Sequence, residues 1–584
     1  RQMCIRDRCY PDSSRHLTGF NPMIYPDLHL IYTVNVESKG KNIEVTVDLD
    51  RPIPQEFIGK VGFNLEFFPG SLFGKPWIMD GQSGIFPQQP NSPLMTTQPN
   101  YLHTGNYHDG KKSLADMNKL IGKGYSPIVA DDIISEPYAK GTKFTSRPDD
   151  PYNKVTIESL SGDLQLFDGR MNHNNGWFGL RSNIKPGVTK GAVKWIITPN
   201  VVADWMYQPV IQTSQIGYHP TQDKEAVIEM DIRDNRKETA QIIRIDADGE
   251  KVVKNVTPAN WGKFLRYNYL KVNFTDVKEP GLYKIKYNTS VSPIFRIDND
   301  VYARGVWQPV LEYFLPVQMC HMRVNEKYRV WHDCCHMDDA QMAPAHNHID
   351  GYDQKEGLSK FKPGEVVPGV NIGGWHDAGD FDLRIESQAG ESYILALAYE
   401  AFHPNLDVTS IDQINRVTEI HQPDGKNDLL QQVENGALTV VNGYLALGRL
   451  YRGIICNDLR QYVLLGDAAA MTDGKIGNED DRWIFTEDNP GRELSTAAQL
   501  AAVSRVLKGF NDTLSVHCLD IARKVYASTG NGNNRALFPK VQAAVELYLT
   551  TGEQPYMDFI LDNKELIIKQ IGRIGWYTGR LEKQ

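Results

Sequence analysis

Gly373-Gly374-Trp375-His376-Asp377-Ala378-Gly379-Asp380 is the stretch on which the reading of this chain turns. Two carboxylates, Asp377 and Asp380, sit in a glycine-rich segment between Gly369 and Phe381-Asp382-Leu383-Arg384. Small residues let a backbone come close to a ligand, and two neighbouring acids can share the handling of one water molecule. A lone D-x-x-D reads as a solvated loop or a helix cap; the complete octapeptide is far more specific. Just upstream lie Cys320, Cys334-Cys335-His336, His346 and His348, and His376 belongs to the octapeptide itself. Thiolates and imidazoles suit a tetrahedral Zn²⁺. On spacing alone, buried free thiols and surface histidines remain the alternative, with His346, His348 and Cys334 as rival ligands. Asp338-Asp339 could meet calcium or substrate, or form a solvated turn.

The rest of the chain divides by texture. Residues 1–20 open on Arg1-Gln2-Met3-Cys4-Ile5-Arg6-Asp7-Arg8, which has the look of translated adapter sequence. They are expected to be non-native and disordered and are set apart from the fold. Over 21–205, Ile43, Val45, Val47 and Leu49 alternate with polar neighbours, as do Val155 with Ile157 and Leu164 with Leu166. That period and the Gly, Pro and Asn breakers predict a β-sandwich, with long loops over about 80–150. Over 206–299 a second set of short strands follows: Ala226, Ile228, Met230 and Ile232 share a face, and Asp248-Gly249 marks a hairpin turn. An immunoglobulin-like sandwich fits. From 300 to 584 the pattern becomes helical without strands, in segments around Tyr393–Ala398, Asp428–Leu450, 495–506 (with Ser495 as its cap), 513–527 and 536–550. Successive helices imply packed pairs, in a solenoid or an α/α barrel.

Composition excludes some functions. The 584 residues carry a net charge of −9, which argues against nucleic acid and against an anionic membrane surface. No stretch reaches the roughly 18 consecutive apolar residues of a membrane-spanning helix. Seven Cys, two of them in the opening segment, are too few for a disulfide framework in a chain of this length. Cys456 and Cys518 sit among apolar helical residues and read as core. With 27 Tyr and 10 Trp the chain is rich in rings on which sugars stack.

The octapeptide closely resembles the signature of glycoside hydrolase family 9, the inverting β-glucanases. Ser214-Gln215-Ile216-Gly217-Tyr218-His219-Pro220 and Pro280-Gly281-Leu282-Tyr283 resemble the immunoglobulin-like module that precedes many of its catalytic domains. The resemblance implies that 300–584 is an (α/α)6 barrel, incomplete at Gln584. It implies hydrolysis of β-1,4-linked glucan (cellulose, mixed-linkage glucan or xyloglucan) with Asp380 as general base and Asp377 helping to hold the water. The two carboxyls of an inverting pair stand about 6.5–9.5 Å apart, so the general acid must come from elsewhere. In the family it is a late Glu, and Glu553, Glu565 and Glu582 lack its context, so the chain as written is expected to be inactive or nearly so. The resemblance further implies a structural zinc on Cys320, Cys335, His336 and His376. Trp375 and Trp331 are candidate stacking platforms for glucose units. The protein is expected to be a monomer acting outside the cytoplasm, extracellular or periplasmic. A non-catalytic carbohydrate-binding protein, and a hydrolase with His376, Asp377 and Asp380 on a catalytic metal, are the competing readings.

Overall fold

The computed structural model describes residues 2–9, 30–59, 61–90, 94–95, 134–171, 177–344, 354, 357–377, 381–455, 474–477, 481–529 and 534–583. Asp380, His346, His348, Cys456 and most of the 80–150 stretch fall outside them.

The N-terminal domain is a sandwich of two antiparallel sheets. One runs in the order 2–9, 30–39, 42–49, 193–199, 155–159, 143–146, 76–79, 82–85, and the other 62–67, 178–183, 164–168, 139–141. Alternation along each strand sends Val45, Val47, Leu49, Ile157, Leu164 and Leu166 into one core, closed by Trp195 and Phe178. One expectation is corrected here. Gln2–Cys9, assigned to a disordered opening segment, pairs with Leu30–Lys39 along its whole length, Gln2 opposite Glu37 and Cys9 opposite Leu30. A sheet edge offers unpaired backbone N–H and C=O groups that pair with an extended chain whatever its side chains.

Residues Val201–Glu312 form a separate compact unit. Its two sheets run 210–212, 225–231, 267–273, 259–264 and 249–256, 240–246, 281–287, 290–291, with 295–297 added beside 281–287. Ala226, Ile228 and Met230 enter the core with Ile242, Tyr283 and Ile285. The strands 240–246 and 249–256 meet at Asp246 and Gly249 around the Asp248-Gly249 turn.

The C-terminal half is helical: α1 Ile385–Phe402, α2 Asp428–Leu447, α3 Pro490–Leu507, α4 Asp512–Ser528, α5 Asn534–Thr551, α6 Gln554–Asp562, α7 Lys564–Lys569 and α8 Ile571–Gly579. Asparagines start three of them, the Asn427, Asn489 and Asn511 side chains accepting from Leu429 N, Arg492 N and Leu514 N. Ser495 is therefore interior to α3 rather than its cap, because Asn489-Pro490 opens the helix a turn and a half earlier. α1 packs on α2, and α3 on α4, as consecutive pairs; α3 also packs on both α1 and α5, and α4 packs on α2. Two rows of helices result, the wall of an α/α barrel.

Strands do occur in this half, against expectation. Arg329–His332, Arg323–Glu326, Val417–Ile420 and Thr409–Asp412 make one small sheet; Gln341–Met342, Trp483–Phe485, Gly453–Ile455 and Leu383–Arg384 make another. At two to four residues each they are too short to show an alternation, and apart from the hairpins 323–332 and 409–420 their pairing is long-range.

Candidate active site and metal centre

The Gly373–Asp377 loop is clamped from two sides. Gly373 and Gly374 take φ of +67° and +85°, values that suit glycine. A Cβ on Gly373 would also stand 2.3 Å from Asn435 O. α2 holds the loop by Gly374 N donating to Asn435 O (3.0 Å) and Asn435 Nδ2 donating to Gly374 O (3.1 Å). α1 holds it through Gln388, which accepts from Trp375 N (2.8 Å) and donates to Trp375 O (2.9 Å). On the other side Cys320 N donates to Gly374 O (2.9 Å) and His376 N to Gln318 O (2.7 Å). Gln388, Gln432 and Asn435 are fully buried, so each of these bonds is made where water cannot replace it.

Trp375 is corrected by this geometry. Its side chain is 2% exposed, its Nε1 donates to Gln432 Oε1 at 2.8 Å, and its ring lies against the Cα of Gly436. It is the anchor of the loop rather than a stacking platform. Trp331 is half-buried in its small sheet, and the Arg329 guanidinium stands over one face of its ring at 5.0 Å.

With the loop anchored, His376 points inward and Asp377 outward. Cys320, Cys335, His336 and His376 come together with one ligand atom from each within 4.8 Å of every other, all buried. Cys335 Sγ lies 3.2 Å from His376 Nε2, and Cys320 Sγ 3.5 Å from His336 Nδ1. Burial pushes the His336 imidazole down to about 3 and lowers His376 as well, so both are neutral at pH 7, the ligating form. Burial opposes ionisation of Cys320, but its bond from Cys335 and the positive charge of Arg482 outweigh this and hold it well below the thiol range. Cys335 moves up, through that same bond and then through burial. The donor set is thus one thiolate, one thiol that would lose its proton on binding, and two neutral imidazoles. That is a closed N2S2 set for zinc, with every ligand buried.

Arg482, which the sequence did not single out, ties this centre to the acids downstream. It is fully buried, bonds Asp339 Oδ2 through Nε at 2.5 Å, approaches Cys320 Sγ through Nη2 at 3.5 Å, and reaches Phe381 O. Asp338, Asp339 and Asp481 have oxygens within 4.8 Å of one another. Asp339, however, has both oxygens engaged by Arg482, and Asp338 accepts from Gly474 N at 2.7 Å. Asp339 is therefore first an ion-pair partner, and its surroundings differ from the open, water-rich shell common for calcium. A further carboxyl outside the sequence reading is Glu391 on α1. Partial burial, then the charge of Asp377, push it up to about 7.

The described residues thus bring together the four sulfur and nitrogen ligands and leave Asp377 exposed beside them; Asp380 lies outside those residues. Arg482, Gln388, Gln432 and Asn435 escaped the sequence reading. For Gln388, Gln432 and Asn435 the one signal available was polar residues interrupting the apolar face of helical segments.

A β-sandwich, an immunoglobulin-like unit and an α/α-barrel wall with a buried Cys2His2 cluster define the class. Residues 206–292 match the cellulase N-terminal ig-like domain, and residues 310–578 match glycosyl hydrolase family 9. Residues 310–578 are thus similar to that family. A xyloglucan-specific endo-beta-1,4-glucanase of Bacteroides ovatus is 25% identical over 60% of this chain and 58% of its own. Endoglucanase D of Acetivibrio thermocellus is 19% identical over 61% of this chain and 54% of its own. The chain therefore spans little more than half the length of these relatives. Among solved structures, a metagenome-derived glycoside hydrolase family 9 endoglucanase is similar at 21% identity and TM-score 0.44, over 61% of this chain and 64% of that one. A family 9 protein of Bacteroides ovatus is similar at 19% identity and TM-score 0.44, over 60% and 64%.

Proposed function

We propose that this protein is a β-1,4-glucanase that hydrolyses its substrate by single displacement with inversion. The observation that carries the reading is the octapeptide of a family 9 domain, held so that Asp377 faces solvent while Gly374, Trp375 and His376 before it are locked to α1, α2 and the Gln318–Cys320 segment. In this reading Asp377 and Asp380 grip one water, and Asp380 removes its proton as the water attacks the anomeric carbon. Rigid suspension of the loop supports this role, since a general base works only within hydrogen-bond reach of the proton it takes. No residue of this chain is assigned as the acid that protonates the leaving oxygen: Glu553 is ion-paired with Arg523, and neither it nor Glu565 or Glu582 has the expected context.

Cys320, Cys335, His336 and His376 hold a structural zinc. Four protein ligands leave no open position for water. This favours a metal that fixes the loop over one that activates the nucleophile, and speaks against the metallohydrolase reading. The substrate is a β-glucan chain, with xyloglucan the first to try given the substrate named for the Bacteroides ovatus relative. The protein acts as a monomer outside the cytoplasm; among the described residues no helix is long and apolar enough to cross a membrane.

The test uses the protein expressed with whatever coding sequence follows codon 584. Proton NMR of early products should show the α-anomer first, and Asp380→Asn should abolish turnover with the fold and zinc content intact. Early β-anomer product, or full activity in Asp380→Asn, refutes the mechanism.

A further inference from the structure

One face of the immunoglobulin-like unit carries a connected row of aromatic rings that its own core does not use. On strand 267–273 Asn268, Leu270 and Val272 are buried inward, so Tyr267 and Tyr269 point to the opposite face. Their rings continue a series on both sides. Trp205 to Tyr207 is 6.5 Å, Tyr207 to Tyr267 is 5.2 Å, Tyr267 to Tyr269 is 6.2 Å and Tyr269 to Trp261 is 5.6 Å, each edge-to-face. The tyrosines are half-buried by their neighbours, whereas the terminal rings are open, Trp205 46% exposed and Trp261 56%. Mutual edge-to-face contact fixes the rings in place. A solvent-facing strand pair needs no such row, and contiguous exposed apolar surface of this kind marks a binding site.

The polar groups of the face define what binds there. Glu229, opposite Tyr269 in register, accepts from Tyr207 Oη at 2.9 Å and from Tyr269 Oη at 3.0 Å. A carboxylate thus stands in the middle of the row with lone pairs to spare. Two of the nearby cations are spent, Arg233 on Asp231 at 2.9 Å and Lys271 on Glu225 at 2.7 Å, and the Arg266 guanidinium stands over the Tyr267 ring at 5.6 Å. A nucleic acid would stack on the rings but needs several free Lys or Arg for its phosphates, and the Glu229 carboxylate in the middle of the row would repel them. The charge pattern instead fits an uncharged ligand with apolar faces and hydroxyl edges. An equatorially linked pyranose chain is such a ligand, since its C–H faces stack on rings and its hydroxyls donate to a carboxylate.

We propose that this row is a glycan-docking face, on which a neutral β-1,4-linked polysaccharide lies with sugar faces on Trp205 and Trp261 and hydroxyls donating to Glu229. The choice of glucan as that polysaccharide rests on the glucanase reading; the face itself does not. It would give the immunoglobulin-like unit a part in holding substrate.

The test is native gel electrophoresis of the full chain through gels containing soluble xyloglucan, mixed-linkage glucan, β-mannan or α-linked dextran, with gel filtration in parallel. The wild type should be retarded by a β-glycan and not by dextran. The Trp205→Ala/Trp261→Ala double variant should lose at least about tenfold in affinity at an unchanged unfolding midpoint. Retardation by β-mannan alone, lost in the double variant, upholds the face and sinks the glucan reading. No retardation by any β-glycan overturns the proposal, as does unchanged retardation in the double variant. So does a double variant that binds glycan normally but passes from dimer to monomer, which makes the face a contact between copies.

Discussion

Gly436→Ala probes the clamp on the Gly373–Asp377 loop through a single carbon. Gly436 is in the middle of α2, where alanine is ordinarily worth about 1 kcal/mol over glycine. Here a Cβ would stand 2.2 Å from Ser392 Oγ and 2.3 and 2.4 Å from the Cζ3 and Cη2 atoms of Trp375. The Ser392 hydroxyl can turn, at the expense of its 2.8 Å bond to Gln388 O. The indole cannot move freely, because Gln432 holds its Nε1 and its surroundings are closed. Contacts that far inside the roughly 3.5–4.0 Å optimum for carbon atoms place the cost at the upper end of the ~1–3 kcal/mol typical of overpacking. Net of helix propensity the variant loses about 1–2 kcal/mol, a fall of some 2–8 °C in the midpoint of a domain this size. Trp375 precedes His376, so the displaced ring also loosens the metal centre. Scanning calorimetry reads the first effect, and a colorimetric chelator reads the rate of zinc release. Gly448→Ala, strained at φ +76° in the C-cap of the same helix, should lower the midpoint but leave zinc release alone. An unchanged or raised midpoint for Gly436→Ala, with unchanged zinc release, refutes the clamp.

Three other outcomes are expected. Zinc should bind one per chain, and Cys335→Ser or His376→Ala should abolish this while lowering the unfolding midpoint; metal analysis of the purified variants checks it. Zinc held at about 1,000 times its dissociation constant adds ~4 kcal/mol to the folded state, so strong chelation should lower the wild-type midpoint and leave those variants unmoved. Arg482→Met leaves the buried Asp339 carboxyl without its ion-pair partner and should cost about 3–5 kcal/mol, with Arg482→Met/Asp339→Leu recovering most of it in denaturant titrations. Asp428, fully buried at the start of α2, has its carboxyl pushed by burial up to about 7. A carboxyl raised in the fold favours the folded state below its unfolded value near 4, and that contribution disappears as pH rises through 7. Wild-type stability should therefore slope downward from pH 4 to 7, and Asp428→Asn should flatten the slope even though it weakens the bonds to Val408 N and Thr409 N.

The N-terminal sandwich and the immunoglobulin-like unit were legible because each strand there runs long enough for alternation to declare itself, as in Val45, Val47 and Leu49 or Ala226, Ile228 and Met230. The helices were legible for the same reason at their own period, though the Asn489-Pro490 start was misread in favour of Ser495. The Cys and His residues could be named from their chemistry and the family resemblance. Whether the Cys320, Cys335, His336 and His376 ligand atoms meet depends on segments far apart in the chain folding onto one another, and only tertiary structure decides that. The same holds for Trp375. Its type and its place in a glycine-rich loop permit a sugar platform or an anchor equally, and the backbone space beside Gly436 decides for the anchor. Arg482 and the short strands of the barrel half left no local signal at all. Sequence alone determines which side chains can ionise, ligate or stack and the period at which each segment repeats. Which of them are deprived of water and brought within reach of one another is settled by packing, since burial and distance belong to the whole fold.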